Sequence, residues 1–412
     1  MWKAPPLSSL QSTLADPQTP IGMRMRATYF LRQEYDNYTK NLEDDTTTAT
    51  EEKITTINDE DNDISLAVIN TLSKSLDDNR HGALLRHEFA YVLGQLRDER
   101  AIHALEHTLL NDADDVMVRH ECAEALGAIA SSQSISALEK CANNDSSIEV
   151  GETCRLALDF IQWKLDGGVE GENTPIACAC MLSPYSSVDP APPHPKHEAL
   201  SSADIGSILT DESAPMFERY RAMFSLRNRG GIESVKELGN ALGKSFFIVL
   251  NLTNNLLPKT NRVFMMNSQP KFVSVTDKSS ALLRHEVAYI LGQIQHPDAV
   301  EFLEISLKRK NEHRMVRHES AEALGAIEER WGECEAILGQ FLNDEDDVVR
   351  ESCMVALDAA DYWGYSGDPA VEENGADESK TVDRTNFSLH KAEANGKAVQ
   401  PGVLHNHFNV AG

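Results

Sequence analysis

Apolar positions recur every three or four residues over most of the chain. In 118–129, Val118, Cys122, Ala125 and Ile129 fall on one side of a helical wheel. In 84–96, Leu85, Phe89, Val92 and Leu96 do the same. Shorter helices precede segments of this kind, as in AIHALEHTLL (101–110) before 118–129 and AVEFLEISLK (299–308) before 316–327. The acidic turns NDADD (111–115) and NDEDD (343–347) separate helices and offer Asp and Asn as N-caps. The pattern predicts an all-α chain of helical hairpins, each with an outer and an inner helix.

The pattern also repeats. LLRHEFAYVLGQL (84–96) returns as LLRHEVAYILGQI (282–294), identical at 10 of 13 positions. VRHECAEALGAI (118–129) returns as VRHESAEALGAI (316–327), identical at 11 of 12. Both pairs are offset by 198 residues, and within each half the two motifs stand 33 apart. RATYFLR (26–32) matches RAMFSLR (221–227), and ETCRLALD (152–159) matches ESCMVALD (351–358). A duplicated chain with a shorter internal period implies a helical solenoid of eight hairpins, four per half.

The expected organisation is a first half over 1–165, a linker over 166–200, a second half over 201–365 and a disordered tail over 366–412. Residues 41–63 hold nine acids against one Lys and read as a disordered acidic loop within the first half. Residues 244–278 interrupt one hairpin of the second half and have no counterpart in the first.

The candidate chemistry lies opposite the apolar stripes. His87, His120, His285 and His318 face away from the core, toward the concave side, across a surface expected to be kept open by Gly and Ala. A Glu follows each one: Glu88, Glu121, Glu286 and Glu319. The aligned pairs of the terminal repeats are Met25-Arg26, Glu152-Thr153, Tyr220-Arg221 and Glu351-Ser352. A dipeptide required by the scaffold would recur in all eight repeats, so restriction to four points to a site.

Neighbouring helices pack about 8–10 Å apart. A His from each can therefore meet one metal at about 2 Å, with a carboxylate completing a two-His, one-carboxylate set. Two such centres are expected, one per half. Successive residues lie about 100° apart on a helix, so His and Glu of one helix are expected to reach different partners. The HExxH zinc motif is excluded, because the fourth residue after each His is Tyr91, Glu124, Tyr289 or Glu322. Glu124 and Glu322 read as helix salt-bridge partners, and Arg86, Arg119, Arg284 and Arg317 as braces to the next repeat. Tyr91 and Tyr289 either line the cleft or pack. His194, His197, His405 and His407 fall in segments of low order and are not expected to be ligands. Ligand types alone leave a di-iron oxygenase and a dinuclear zinc or manganese hydrolase open, and a metal-free scaffold for a basic partner is the third reading.

Composition narrows the partners. The 412 residues carry 38 Lys and Arg against 65 Asp and Glu, a net charge of −27. That disfavours nucleic acid and anionic membranes. Seven scattered cysteines without a CxxC pair suit a reducing compartment and read as small buried apolar residues. The start has no apolar signal segment, and no apolar run approaches the roughly 20 residues that span a bilayer. A cytoplasmic protein is expected.

Four RHE motifs in two pairs, followed by AYVLGQ or AYILGQ and by AEALGAI, resemble the deoxyhypusine hydroxylases. These are HEAT-repeat di-iron monooxygenases that complete hypusine on translation initiation factor 5A. The resemblance covers 8–40, 64–165, 201–243 and 279–363. It implies two Fe2+ ions, with dioxygen as co-substrate, bound by His87, His120 and Glu121 in one half and by His285, His318 and Glu319 in the other. It implies that Glu88 and Glu286 bind the substrate side chain, a Lys extended by a second amine. The partner would be the deoxyhypusine-bearing factor, met by a monomer.

Overall fold

The computed structural model describes residues 5–48, 63–168, 185, 187–243 and 280–363. Among them there is no strand, and sixteen α-helices follow one another as outer and inner partners. In the first half these are α1 (Leu7–Ala15) and α2 (Ile21–Thr48), α3 (Ile64–Asp77) and α4 (Gly82–Leu96), α5 (Ile102–Leu109) and α6 (Val116–Ile129), α7 (Ile135–Asn144) and α8 (Ile148–Leu165). In the second half they are α9 (Ser202–Leu209) and α10 (Met216–Arg229), α11 (Gly231–Leu242) and α12 (Ala281–Ile294), α13 (Val300–Lys308) and α14 (Arg314–Gly325), α15 (Trp331–Leu338) and α16 (Asp347–Trp363). This succession agrees with eight hairpins. The insert 244–278 and the tail 366–412 lie outside the described residues. Of the acidic stretch 41–63, the part up to Thr48 continues helix α2 instead of forming a loop.

The turns do what their composition suggests. Asp115 caps α6 by accepting from the Met117 amide, and Asp346 accepts from the Val348 amide at the start of α16. The motif arginines brace the stack. Arg119 Nε donates to the Leu109 carbonyl at the end of the preceding outer helix, and its guanidinium pairs with Asp145 in the next turn. Arg86 repeats this with Leu76 and Asp114, and Arg317 with Leu307 and Asp344. Arg284 pairs with Glu312.

The motif glycines let inner helices touch instead of keeping the concave surface open. A Cβ on Gly94 would stand 2.6 Å from Ala125 Cα, and one on Gly127 or Gly325 would meet Ala157 or Ala356. Such contacts bring α4 against α6, α6 against α8 and α14 against α16. The halves also meet each other at both ends: α16 packs on α2 and α4, and α8 packs on α10 and α12. An Arg26–Asp358 ion pair joins the first and last repeats. At the other end Glu152 accepts from Ser280. Arg314 reaches Asp115 across the centre at 3.1 Å.

The described part of the linker is ordered. Gln95 accepts from the Val188 amide at 2.8 Å, and Asp189 pairs with Arg227. His197 is buried, with Nδ1 2.8 Å from Ser225 Oγ. The expectation of low order at His194 and His197 is therefore corrected. Pro195–Ala199 forms a 3-10 turn that packs on α10, and His194 caps it by accepting from the Lys196 amide.

Candidate metal centre

Each motif histidine sits in the N-terminal half of an inner helix whose apolar stripe faces its own outer helix. That leaves the His-Glu face for the middle of the molecule. Because the halves close on one another, this face is buried: His120 and His318 are 0% exposed, and His87 and His285 4%. The four rings gather tightly. Ring centres of His87 and His120 lie 5.5 Å apart, those of His285 and His318 5.4 Å, and those of His87 and His318, across the halves, 5.3 Å.

None of the eight ring nitrogens in this cluster makes a well-directed hydrogen bond, although His87 stands beside the Glu121 and Glu88 carboxylates. Two other buried histidines, His81 and His197, do find partners, in Arg24 and Ser225. Leaving buried polar atoms unpaired costs about 1–3 kcal/mol each, so four such rings at one point fit lone pairs aimed at metal ions.

The first predicted set assembles: donor atoms of His87, His120 and Glu121 lie within 4.8 Å of one another. His87 Nε2 stands 3.0 Å from Glu121 Oε2. His120 and Glu121 share a helix, so the expectation that such neighbours reach different partners is corrected. A Glu side chain is long enough to span the roughly 100° between them.

The second half groups its donors differently. His285 Nε2 lies 3.5 Å from Glu319 Oε2. His318 and Glu319 converge with Glu322, and His285 and His318 converge with His87 from the other half. Glu322 therefore belongs to the cluster, with Oε1 3.5 Å from His318 Nδ1, and also accepts from Ser352. Its pairing with His318 is the helix pair that the sequence suggests, while its place among the candidate donors depends on what lies opposite and is not marked by the spacing.

Glu88 and Glu286 line the cavity beside the histidines, together with Tyr29, Tyr91, Tyr289, Glu124 and Glu322. Tyr91 and Tyr289 thus face the cavity, and their hydroxyls bond across it at 3.0 Å. Tyr29 donates to Glu88. It comes from a terminal repeat without the motif, so nothing in the repeat pattern marks it.

The electrostatics disfavour so many buried charges of one sign. Burial, with Glu124, Glu121 and Glu319 nearby, pushes Glu286 well above the carboxylate range. Burial also raises Glu319 to about 8, and raises Glu124 and Glu322 well above their usual range. Burial lowers His285 to about 3, and lowers His120 and His318 well below the imidazole value. His87 goes the other way: burial opposes its charge, but Glu121 and Glu88 outweigh it. Three imidazoles held neutral beside crowded carboxylates suit a divalent metal.

A family model described as HEAT repeats matches residues 83–159 and 270–358. The deoxyhypusine hydroxylase of Danio rerio is 41% identical over 284 residues, which are 69% of this chain and 78% of that protein. The chain belongs to the deoxyhypusine hydroxylase family. The family member from Mus musculus is 37% identical over 359 residues, 86% of this chain and 92% of its own length. The structure of human deoxyhypusine hydroxylase in complex with glycerol shares 38% identity at a TM-score of 0.63, covering 85% of this chain and 94% of that one. The family is one of monooxygenases, so this chain is an enzyme and the scaffold and hydrolase readings fall away. Among the described residues, no helix is long and apolar enough to cross a membrane.

Proposed function

We propose that this chain hydroxylates the deoxyhypusine side chain of translation initiation factor 5A, with two Fe2+ ions and dioxygen. His87, His120 and Glu121 would hold one iron, and His285, His318 and Glu319 the other. The observation that carries this is the cluster of four buried histidines whose ring nitrogens make no well-directed hydrogen bond. When bound, iron supplies the activation of dioxygen that inserts one oxygen atom into a carbon–hydrogen bond.

The remaining work falls to the protein. Six cavity carboxylates, Glu88, Glu121, Glu124, Glu286, Glu319 and Glu322, carry six negative charges when ionised. Two divalent ions offset four of these. A side chain with two ammonium groups offsets the other two. Glu88 and Glu286 would clasp those amines by charge-assisted hydrogen bonds and hold one carbon in place.

Both half-sites come from one chain, which supports action as a monomer. We divide that chain into halves at 1–165 and 201–365, joined by 166–200. The five described cysteines are buried and free, which supports a cytoplasmic place of work. The acid excess supports a basic segment of the factor as partner, not nucleic acid or membrane.

The test is iron analysis of the purified protein, followed by mass spectrometry of the deoxyhypusine-bearing factor after incubation with iron, a reductant and dioxygen. Gain of one oxygen that depends on iron is expected. An unmodified factor with fully iron-loaded protein would refute the reading.

A further inference from the structure

The cavity is built from twinned residues: His87 and His285, Glu88 and Glu286, Tyr91 and Tyr289. Left symmetric, it would accept a two-amine side chain in either direction. The substrate is not symmetric, because one amine lies within the chain and the other at its end. The cavity breaks its own symmetry at Glu88. Tyr29 on α2 donates to Glu88 Oε2, and His87 Nδ1 stands 3.4 Å from Glu88 Oε1. In the second half, the residue aligned with Tyr29 is Phe224, fully buried and without a hydroxyl. The nearest hydroxyls in sequence are engaged elsewhere: Ser225 donates to the Arg221 carbonyl, and Tyr220, one helical turn earlier, faces the Leu282 carbonyl at 3.5 Å. Among the described residues Glu286 receives neither contact.

We infer that Tyr29 is a positioning residue that sets the direction in which the substrate lies, with its terminal primary ammonium at Glu286 and its secondary ammonium at Glu88. The argument is an inventory of donors and lone pairs. A primary ammonium carries three N–H groups and is best met by a carboxylate whose oxygens are both open. Glu286 is that carboxylate. A secondary ammonium carries two N–H groups and needs fewer acceptor sites. Glu88 has one oxygen occupied by the Tyr29 hydroxyl, and that bond also fixes its plane. The inference rests on the reading of Glu88 and Glu286 as amine-binding residues.

The test uses iron-loaded protein without oxygen. Butylammonium and N-methylbutylammonium each compete against a deoxyhypusine-bearing peptide. In the native background Glu286→Gln should weaken the primary amine about tenfold more than the secondary one, and Glu88→Gln should show the reverse preference. In a Tyr29→Phe background, with iron content unchanged, the two Gln substitutions should become alike. Equal effects of the two Gln variants on both probes in the native background would overturn the orientation, and that comparison does not depend on the Phe variant folding. So would a preference that survives Tyr29→Phe. If neither Gln variant alters amine binding at all, the amine-binding reading itself fails, an outcome distinguishable from a lost orientation.

Discussion

The hydroxyl oxygens of Tyr91 and Tyr289 lie 3.0 Å apart although the residues stand 198 positions apart in the chain. That separation is the offset between the two copies of the histidine motif. The axis relating the halves therefore passes close to these hydroxyls, and around it the half-sites meet directly, with the ring centres of His87 and His318 5.3 Å apart.

Removal of any one proposed ligand should be visible in bound metal. His87→Ala, His120→Ala, Glu121→Ala, His285→Ala, His318→Ala and Glu319→Ala should each weaken iron by more than about 100-fold, beyond the 10–100-fold typical of residues that only orient a ligand. Iron per chain, measured by elemental analysis, checks this. All six variants keeping full iron would disprove the ligand assignment.

Iron should also stabilise the fold. At free metal one hundredfold above its Kd, binding one ion contributes about 2.7 kcal/mol. A chelator should lower Tm, and restoring Fe2+ without oxygen should recover it. An unchanged Tm would mean that the unpaired ring nitrogens are not metal donors.

Gly94→Ala should disturb the site from a distance. The new Cβ would meet the Ala125 backbone at 2.6 Å, so α4 and α6 must part. Overpacking of this kind costs about 1–3 kcal/mol, and it should loosen iron by separating His87 from Glu121. Gly332→Ala is the control, since nothing lies within 4 Å of its Cβ. Denaturant midpoints and iron titrations of the two variants should differ accordingly.

Arg119→Met should destabilise the stack by about 3–5 kcal/mol, because it leaves a buried carboxylate without its partner. Arg119 and Asp145 side chains are each only 2% exposed. Adding Asp145→Asn to the same chain should recover part of the loss, read by urea denaturation. No recovery would mean that the carboxylate is not what suffers.

His197 predicts a pH dependence outside the metal site. Burial, then His194, lowers it to about 4 from the ordinary 6.5. Below pH 6.5 the unfolded chain takes up a proton that the folded one refuses, so stability falls until about pH 4 and then levels. The loss is on the order of 1–3 kcal/mol. His197→Asn should remove this component, seen as a shallower decline in urea stability between pH 6.5 and 4. Parallel declines in the two proteins would contradict it.

The repeat unit, the bracing arginines and the four His-Glu pairs are legible in the sequence because a duplicated chain carries its own alignment. Position 119 can be compared with 86, 284 and 317, and each comparison strips away residues that merely fill space. The helical wheel fails where a property depends on what stands opposite. It shows His120 pointing away from its own outer helix, but not that His285 approaches it to 5.3 Å between ring centres. It marks Gly94 as small, but not that Ala125 fills the space. Tyr29 stayed hidden because it occurs once, in a repeat whose twin has Phe224. His197 was misread because Gly, Pro and Ser around it describe the local chain and not the helix it docks on.

The contact of α16 with α2 has a further consequence. An open solenoid has two end repeats with one neighbour each, and these fray first or need polar caps. Here the first repeat is a neighbour of the last, so every repeat is flanked on both sides. Unfolding should then start by breaching a seam, with Arg26–Asp358 on one side and Glu152–Ser280 on the other. The array also has a fixed capacity. Adding a ninth hairpin would not lengthen it but would pry apart the seam that brings the two sets of histidines together.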